Sequence, residues 1–147
     1  MNFREDILGG IPAVLPQPKP YDTTVSHAPK RKDILSEEEK AARAAALEAA
    51  TLYATEVPLK TMKAALEVFP IVKAMAAEGN PASVSDAGVG ALAARSAVLG
   101  AQLNVRINAA GLADREAADR LCAEAAEIAA AAIAAEAEVL TIVNDKI

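Results

Sequence analysis

Proline placement constrains this 147-residue chain most: five of its eight prolines lie before residue 30. The run Ile11-Pro12-Ala13-Val14-Leu15-Pro16-Gln17-Pro18-Lys19-Pro20-Tyr21-Asp22 cannot propagate a helix. Each ring removes an amide donor and biases the residue before it toward extended backbone. Residues 1–35 are therefore expected to form an arm without a core of its own. A short helix near Phe3 to Leu8 stops at Gly9-Gly10, and an extended segment ends in the basic run Lys30-Arg31-Lys32. A solvated tail is the default for such a segment.

At Ser36 the character changes. Ser36-Glu37-Glu38-Glu39 has capping-box spacing, a hydroxyl for an orphan amide with acidic charge at the positive end of a helix. The helix should run through the Ala-rich segment to about Thr55, where Pro58 either opens a second helix or kinks a continuous one. Leu59, Met62, Leu66, Phe69, Val72 and Met75 recur at three- and four-residue steps and mark one face to be buried. Pro70 interrupts that pattern and predicts a bend; Gly79-Asn80 and Pro81 predict a stop.

Ser83 to Asp86 repeats the capping-box spacing and opens a helix to about Asn108. Its apolar stripe is Val89, Leu92, Ser96, Leu99, Leu103 and Ile107, beside a stripe of small or amide residues, Gly90, Ala94, Ala97, Ala101, Asn104 and Asn108. Gly88, Gly90 and Gly100 each cost about 1 kcal/mol against Ala inside a helix, which points to close approach of another backbone. Gly111 ends the element. Asp114 can cap a last helix with the seam Leu121, Ala125, Ile128, Ala132, Ala135, Val139 and Ile142.

With 53% hydrophobic but only 3% aromatic residues, the chain is expected to be all-α, a bundle of three to four long Ala-rich helices behind an extended Pro-rich arm. The expected units are residues 1–35 and 36–147. These helices carry more apolar faces than they can bury among themselves, which predicts a homodimer or a piece of a larger bundle.

The formal charge of −5, with no basic stripe interleaved with aromatics, argues against nucleic acid. A lone Cys122 and a lone His27 exclude a disulfide framework and Cys- or His-based metal sites. Neither sits near a base or nucleophile in sequence, so triad chemistry is not expected. Gly9-Gly10 runs into Ile11-Pro12 rather than a helix start, so it is no phosphate loop. The acidic N-terminus is unlike a secretory signal, and glutamates break the apolar run from Ala125 to Ala137, so a cytoplasmic chain outside the membrane is expected.

The polar residues that stand out lie at the two ends of the third helical segment: Asn80, Ser85 and Asp86 at one end, Asn104, Arg106 and Asn108 at the other. Asp86 is a candidate acid or base, though a first-turn Asp is more often a cap. Asn104 and Asn108 share a helix face and could bind a heterocycle with ring nitrogens and carbonyls. They could equally hydrogen-bond a neighbouring helix.

From Ser36 onward four motifs, in order and spacing, resemble the formimidoyltetrahydrofolate cyclodeaminase and methenyltetrahydrofolate cyclohydrolase family. They are Glu38-Glu39-Lys40-Ala41-Ala42-Arg43; Ala54-Thr55-Glu56-Val57-Pro58-Leu59; Gly79-Asn80 with Val84-Ser85-Asp86-Ala87-Gly88-Val89; and Ala101-Gln102-Leu103-Asn104-Val105-Arg106-Ile107-Asn108. The resemblance implies an all-α, dimeric protein that acts on one-carbon tetrahydrofolates. The cyclodeaminase closes 5-formimidoyltetrahydrofolate to 5,10-methenyltetrahydrofolate with loss of ammonia in histidine degradation, and the cyclohydrolase opens the methenyl compound with water. Neither reaction needs a metal or NAD. Asp86 becomes the candidate for proton transfer, with Asn104, Asn108, Arg106 and Ser85 as candidate substrate-binding residues.

The family begins with a Pro-Gly-Gly-Gly-Ser type segment that helps form its folate site, and this sequence has none. Its first 35 residues, through Lys19-Pro20-Tyr21-Asp22 and His27-Ala28-Pro29-Lys30-Arg31-Lys32-Asp33-Ile34-Leu35, resemble the N-terminal arm of urocanate hydratase instead. Three expectations follow: a folate lyase or cyclohydrolase by descent, inactive if the Gly-rich half is required; a non-catalytic helical module that pairs through its Ala-rich faces; and, on the arm alone, a urocanate hydratase fragment.

Overall fold

The computed structural model describes residues 35–147; the helix expected at residues 3–8, the extended arm and His27 lie outside them. The fold is all-α, and no strand occurs among the described residues. Four helices, α1 (Glu37–Leu66), α2 (Val68–Glu78), α3 (Val84–Ala109) and α4 (Arg115–Asn144), are joined by short connections, with a 3₁₀ turn at Pro81–Ser83 ahead of α3. α3 is central, flanked by α1 and α4 along most of its length and by α2 near its N-terminal half.

Helix α1 opens on Glu37, Glu38 and Glu39, whose charges suit the positive helix end. It passes through Pro58 without ending, so the continuous alternative holds. At the second proline the expected bend is a break instead. Helix α1 stops at Leu66, Glu67 separates the two helices, and Pro70 falls in the first turn of α2. There its missing amide would have had no intrahelical partner, which removes the penalty a mid-helix proline carries.

The α1–α2 face is buried as its periodicity predicts at Leu59, Met62, Phe69 and Val72, but beyond the break Ala76 takes the inward position and Met75 is exposed. Ser83 precedes α3 without a side-chain cap, so the second capping box does not form. Asn80 accepts a hydrogen bond from the Ala82 amide in its place and caps the 3₁₀ turn. Asp114 does cap α4, accepting from the Ala117 amide at 3.0 Å.

In α3 the core takes small residues, Ala94 and Ala101 of the small-residue stripe among them. The buried side is Val84, Ala87, Ala91, Ala94, Val98, Ala101, Val105 and Ala109, while Val89, Leu92, Leu103 and Ile107 are exposed. Small inward residues let α1 and α4 approach closely, and the larger side chains are left outside. At Gly90 an added Cβ would lie 3.1 Å from Val72 Cγ1 and at Gly88 3.4 Å from Val143 Cγ1, so neighbouring side chains, not the expected second backbone, come close there. Gly100 meets nothing within 4 Å. The α4 seam is buried at Leu121, Ala125, Ile128, Ala132 and Val139, and Glu136 lies inside it beside Arg95 of α3.

The helix ends are tied down by charge. Glu48 of α1 accepts from the amides of Ala113 and Asp114 at 3.0 and 3.1 Å, holding the loop before α4. Lys146 donates to the carbonyls of Ala76 and Ala77, capping the negative end of α2.

Candidate functional site

The most informative arrangement lies where α1 crosses α3. Pro58 cannot donate to the Ala54 carbonyl one turn earlier, so α1 carries an orphan acceptor in mid-helix. Asn108 Nδ2 donates to that carbonyl at 2.8 Å. An exposed-looking amide on α3 thus supplies the bond that the proline removes from α1, and it fixes the rotation of the two helices against each other.

Beside this contact runs an open groove of about 500 Å³. Pro58, Val57 and Thr61 form one wall, and Ser96, Gly100 and Asn104 form the other, with Asn108 at its end. Asn104 donates its Nδ2 to the Gly100 carbonyl one turn back at 3.1 Å. With one N–H of each amide so engaged, both Oδ1 atoms remain acceptors beside the groove.

The structure does not gather the other candidates here. Asp86 and Ser85 are exposed in the first turn of α3. Eighteen residues, five full turns, separate Asp86 from Asn104, so the two lie in line on one edge of α3 about 27 Å apart. Arg106 sits on the opposite side of α3, in a second hollow of about 370 Å³ with Gln102, Arg115 and Cys122. Arg115 is held there by the carbonyls of Ala109 and Leu112 at 3.3 and 3.4 Å. A third hollow, about 400 Å³, lies under Phe69 and Pro70, with Lys73 and Glu138 at its rim.

Two polar features escaped the sequence reading. Arg95 Nε lies 3.2 Å from Glu136 Oε2 in the α3–α4 interface, without hydrogen-bond alignment. Glu136, four residues after Ala132 and three before Val139, was the available signal. The Lys73–Glu138 pair closes at 2.6 Å, and the lysine's hydrogen bond and charge hold the Glu138 carboxyl below the ordinary glutamate range. Among the described residues no group of three or more His, Cys, Asp or Glu is placed to hold a metal, and no helix is long and apolar enough to cross a membrane.

Comparison with known proteins was informative. The model of the formiminotransferase-cyclodeaminase family matches residues 23–127. A methenyltetrahydrofolate cyclohydrolase of Methylorubrum extorquens is 38% identical over 112 residues, which is 76% of this chain and 54% of that protein. The chain therefore spans about half the length of the curated relative it matches. The family match reaches back to residue 23, ahead of the Ser36 start expected from the motifs. Neither comparison supports the hydratase likeness of the arm.

Proposed function

The chain belongs to the formiminotransferase-cyclodeaminase family, and from that premise we propose that it binds a one-carbon tetrahydrofolate and acts at the bridging carbon, as a methenyltetrahydrofolate cyclohydrolase or a formimidoyltetrahydrofolate cyclodeaminase. The observation that carries this reading is the groove between α1 and α3, bordered by Asn104 and Asn108. The two free Oδ1 acceptors suit the amino and ring N–H donors of a pterin, and the apolar wall of Val57 and Pro58 suits its face.

Both reactions move a proton at a carbon–nitrogen centre through a tetrahedral intermediate. Hydrolysis adds water to the methenyl carbon and releases one ring nitrogen; cyclodeamination closes the ring and releases ammonia. A carboxylate within reach can take and return that proton; the family likeness proposes Asp86, which lies about 27 Å from Asn104 within one chain and can serve only where a second subunit brings it to the groove. Ser85 is proposed beside it, whereas Arg106, on the opposite side of α3, does not reach the same groove within one chain. The proposed setting is a cytoplasmic homodimer, with the folate as substrate and no metal or NAD in either step, and histidine degradation as the route if ammonia is released.

Isothermal titration of the full chain with 5-formyltetrahydrofolate tests the reading. Saturable binding that weakens at least tenfold in Asn104→Ala is expected, and absorbance decay of methenyltetrahydrofolate against ammonia release then separates the two activities. Absence of binding would leave the second reading, a helical module that pairs without catalysing, which the uncovered apolar side of α3 favours.

A further inference from the structure

Arg106 belongs to the run Asn104-Val105-Arg106-Ile107-Asn108 but lies away from the groove, in the hollow of about 370 Å³ between the end of α3 and the start of α4. Gln102, one turn earlier on the same face of α3, lines this hollow too, and Arg115 and Cys122 line it from α4. Two guanidiniums thus share one hollow, and the rest of its lining is alanine, Ala109 and Ala126 among them.

The hollow is rich in donors and poor in acceptors. Among the described residues no group binds the Arg106 guanidinium. Arg115 donates Nη1 to the carbonyls of Ala109 and Leu112, which fixes the plane of its guanidinium and leaves the Nε–Nη2 edge. Asp119 lies 3.9 Å from Nη2, beyond hydrogen-bond reach, and its side chain is 81% exposed, so water screens most of that attraction. The chain as a whole carries −5, which makes the hollow a local reversal of sign, and salt screens the distant carboxylates beyond about 10 Å.

Donors without acceptors select an anion, and the number of donors selects among anions. One guanidinium edge already satisfies both oxygens of a carboxylate, so two guanidiniums and a side-chain amide oversupply it. A phosphoryl group has three terminal oxygens and carries close to two charges at neutral pH, which two guanidiniums and the Gln102 amide match. The hollow falls within the range of about 300–1,000 Å³ typical of small-molecule sites, and its alanine wall gives the organic remainder of a small ester an apolar surface to rest on.

We propose that the hollow between Arg106 and Arg115 binds a dianionic phosphoryl group, as inorganic phosphate or as a small phosphomonoester. The anion bridges the last turn of α3 to the first turn of α4 and neutralises two guanidiniums that otherwise repel each other. This site and the folate groove lie on opposite sides of α3, so either stands without the other.

Cys122 reports on the site, because it lines the hollow and is the one cysteine in the sequence. Its alkylation by uncharged iodoacetamide is followed by mass on the full chain, without folate, at fixed pH and ionic strength. Inorganic phosphate, glycerol 3-phosphate and glutarate each replace chloride in turn. Saturable slowing by the two phosphoryl probes is expected, and the one that protects at the lower concentration identifies the free ion or the ester as the preferred source. In Arg106→Gln, with helicity unchanged, the half-protecting concentration should rise about tenfold or more, the loss of one charged hydrogen-bond donor. Alkylation that neither phosphoryl probe slows overturns the proposal. Protection that glutarate matches, or that Arg106→Gln leaves in place, overturns it as well.

Discussion

Asn108 shows how much of this fold turns on single polar atoms. Its Nδ2 meets the Ala54 carbonyl that Pro58 leaves without a donor, so Asn108→Ala should destabilise by about 0.5–1.5 kcal/mol, the net worth of one hydrogen bond at an exposed carbonyl that water can reach. Restoring the helix's own amide removes the need for the amide of α3. In urea unfolding, Pro58→Ala with Asn108→Ala should therefore lose clearly less than the sum of the two single changes; strict additivity would show that the two sites are not coupled. The orphan carbonyl was legible from the sequence, since a proline four residues on always makes one. Which of many amides would answer it was not, because that depends on how α3 is rotated against α1. Glu138 gives a pH signature. Its carboxyl titrates below the ordinary range because Lys73 binds it, so its stabilising effect is present above the ordinary glutamate value and is lost as pH falls through the lowered one. The stability difference between wild type and Glu138→Gln should fade on acidification through that window, and a constant difference would dissociate it from the ion pair.

At the scale of elements, the sequence yields helix positions well and helix rotation poorly. Glu37, Gly79 and Asp114 bound their helices because capping chemistry is local. The direction α3 faces is a tertiary choice: its Ala and Gly side packs on three helices, and its Val and Leu side is left over. Periodicity finds an apolar stripe and assigns the larger residues to the core, whereas a central helix with close neighbours on one side buries its smaller ones. The two glycines should therefore respond oppositely. Gly90→Ala pushes a methyl to 3.1 Å from Val72 Cγ1 and should lower the unfolding midpoint. Gly100→Ala meets nothing in its own chain, so it should stabilise the fold by up to about 1 kcal/mol. A fall in the fold's own stability with Gly100→Ala would argue against that reading of α3.

For the whole molecule, family membership was legible because it rests on ordered motifs, and the all-α architecture because it rests on composition and caps. The candidate site was legible only in part. Asn104 and Asn108 come together at the groove, but Asp86, Ser85 and Arg106 lie elsewhere in the single chain. Residues at opposite ends of one helix look like one constellation in sequence and cannot be one within a straight rod. The chain also spans about half of the curated relative it matches, so binding rather than turnover is the property to measure first. That measurement is calorimetric titration of the full chain with 5-formyltetrahydrofolate, run beside Asn104→Ala. Saturable binding by the wild type, weakened at least tenfold by the substitution, is the predicted result; no binding, or equal binding by both, would contradict a folate site between α1 and α3.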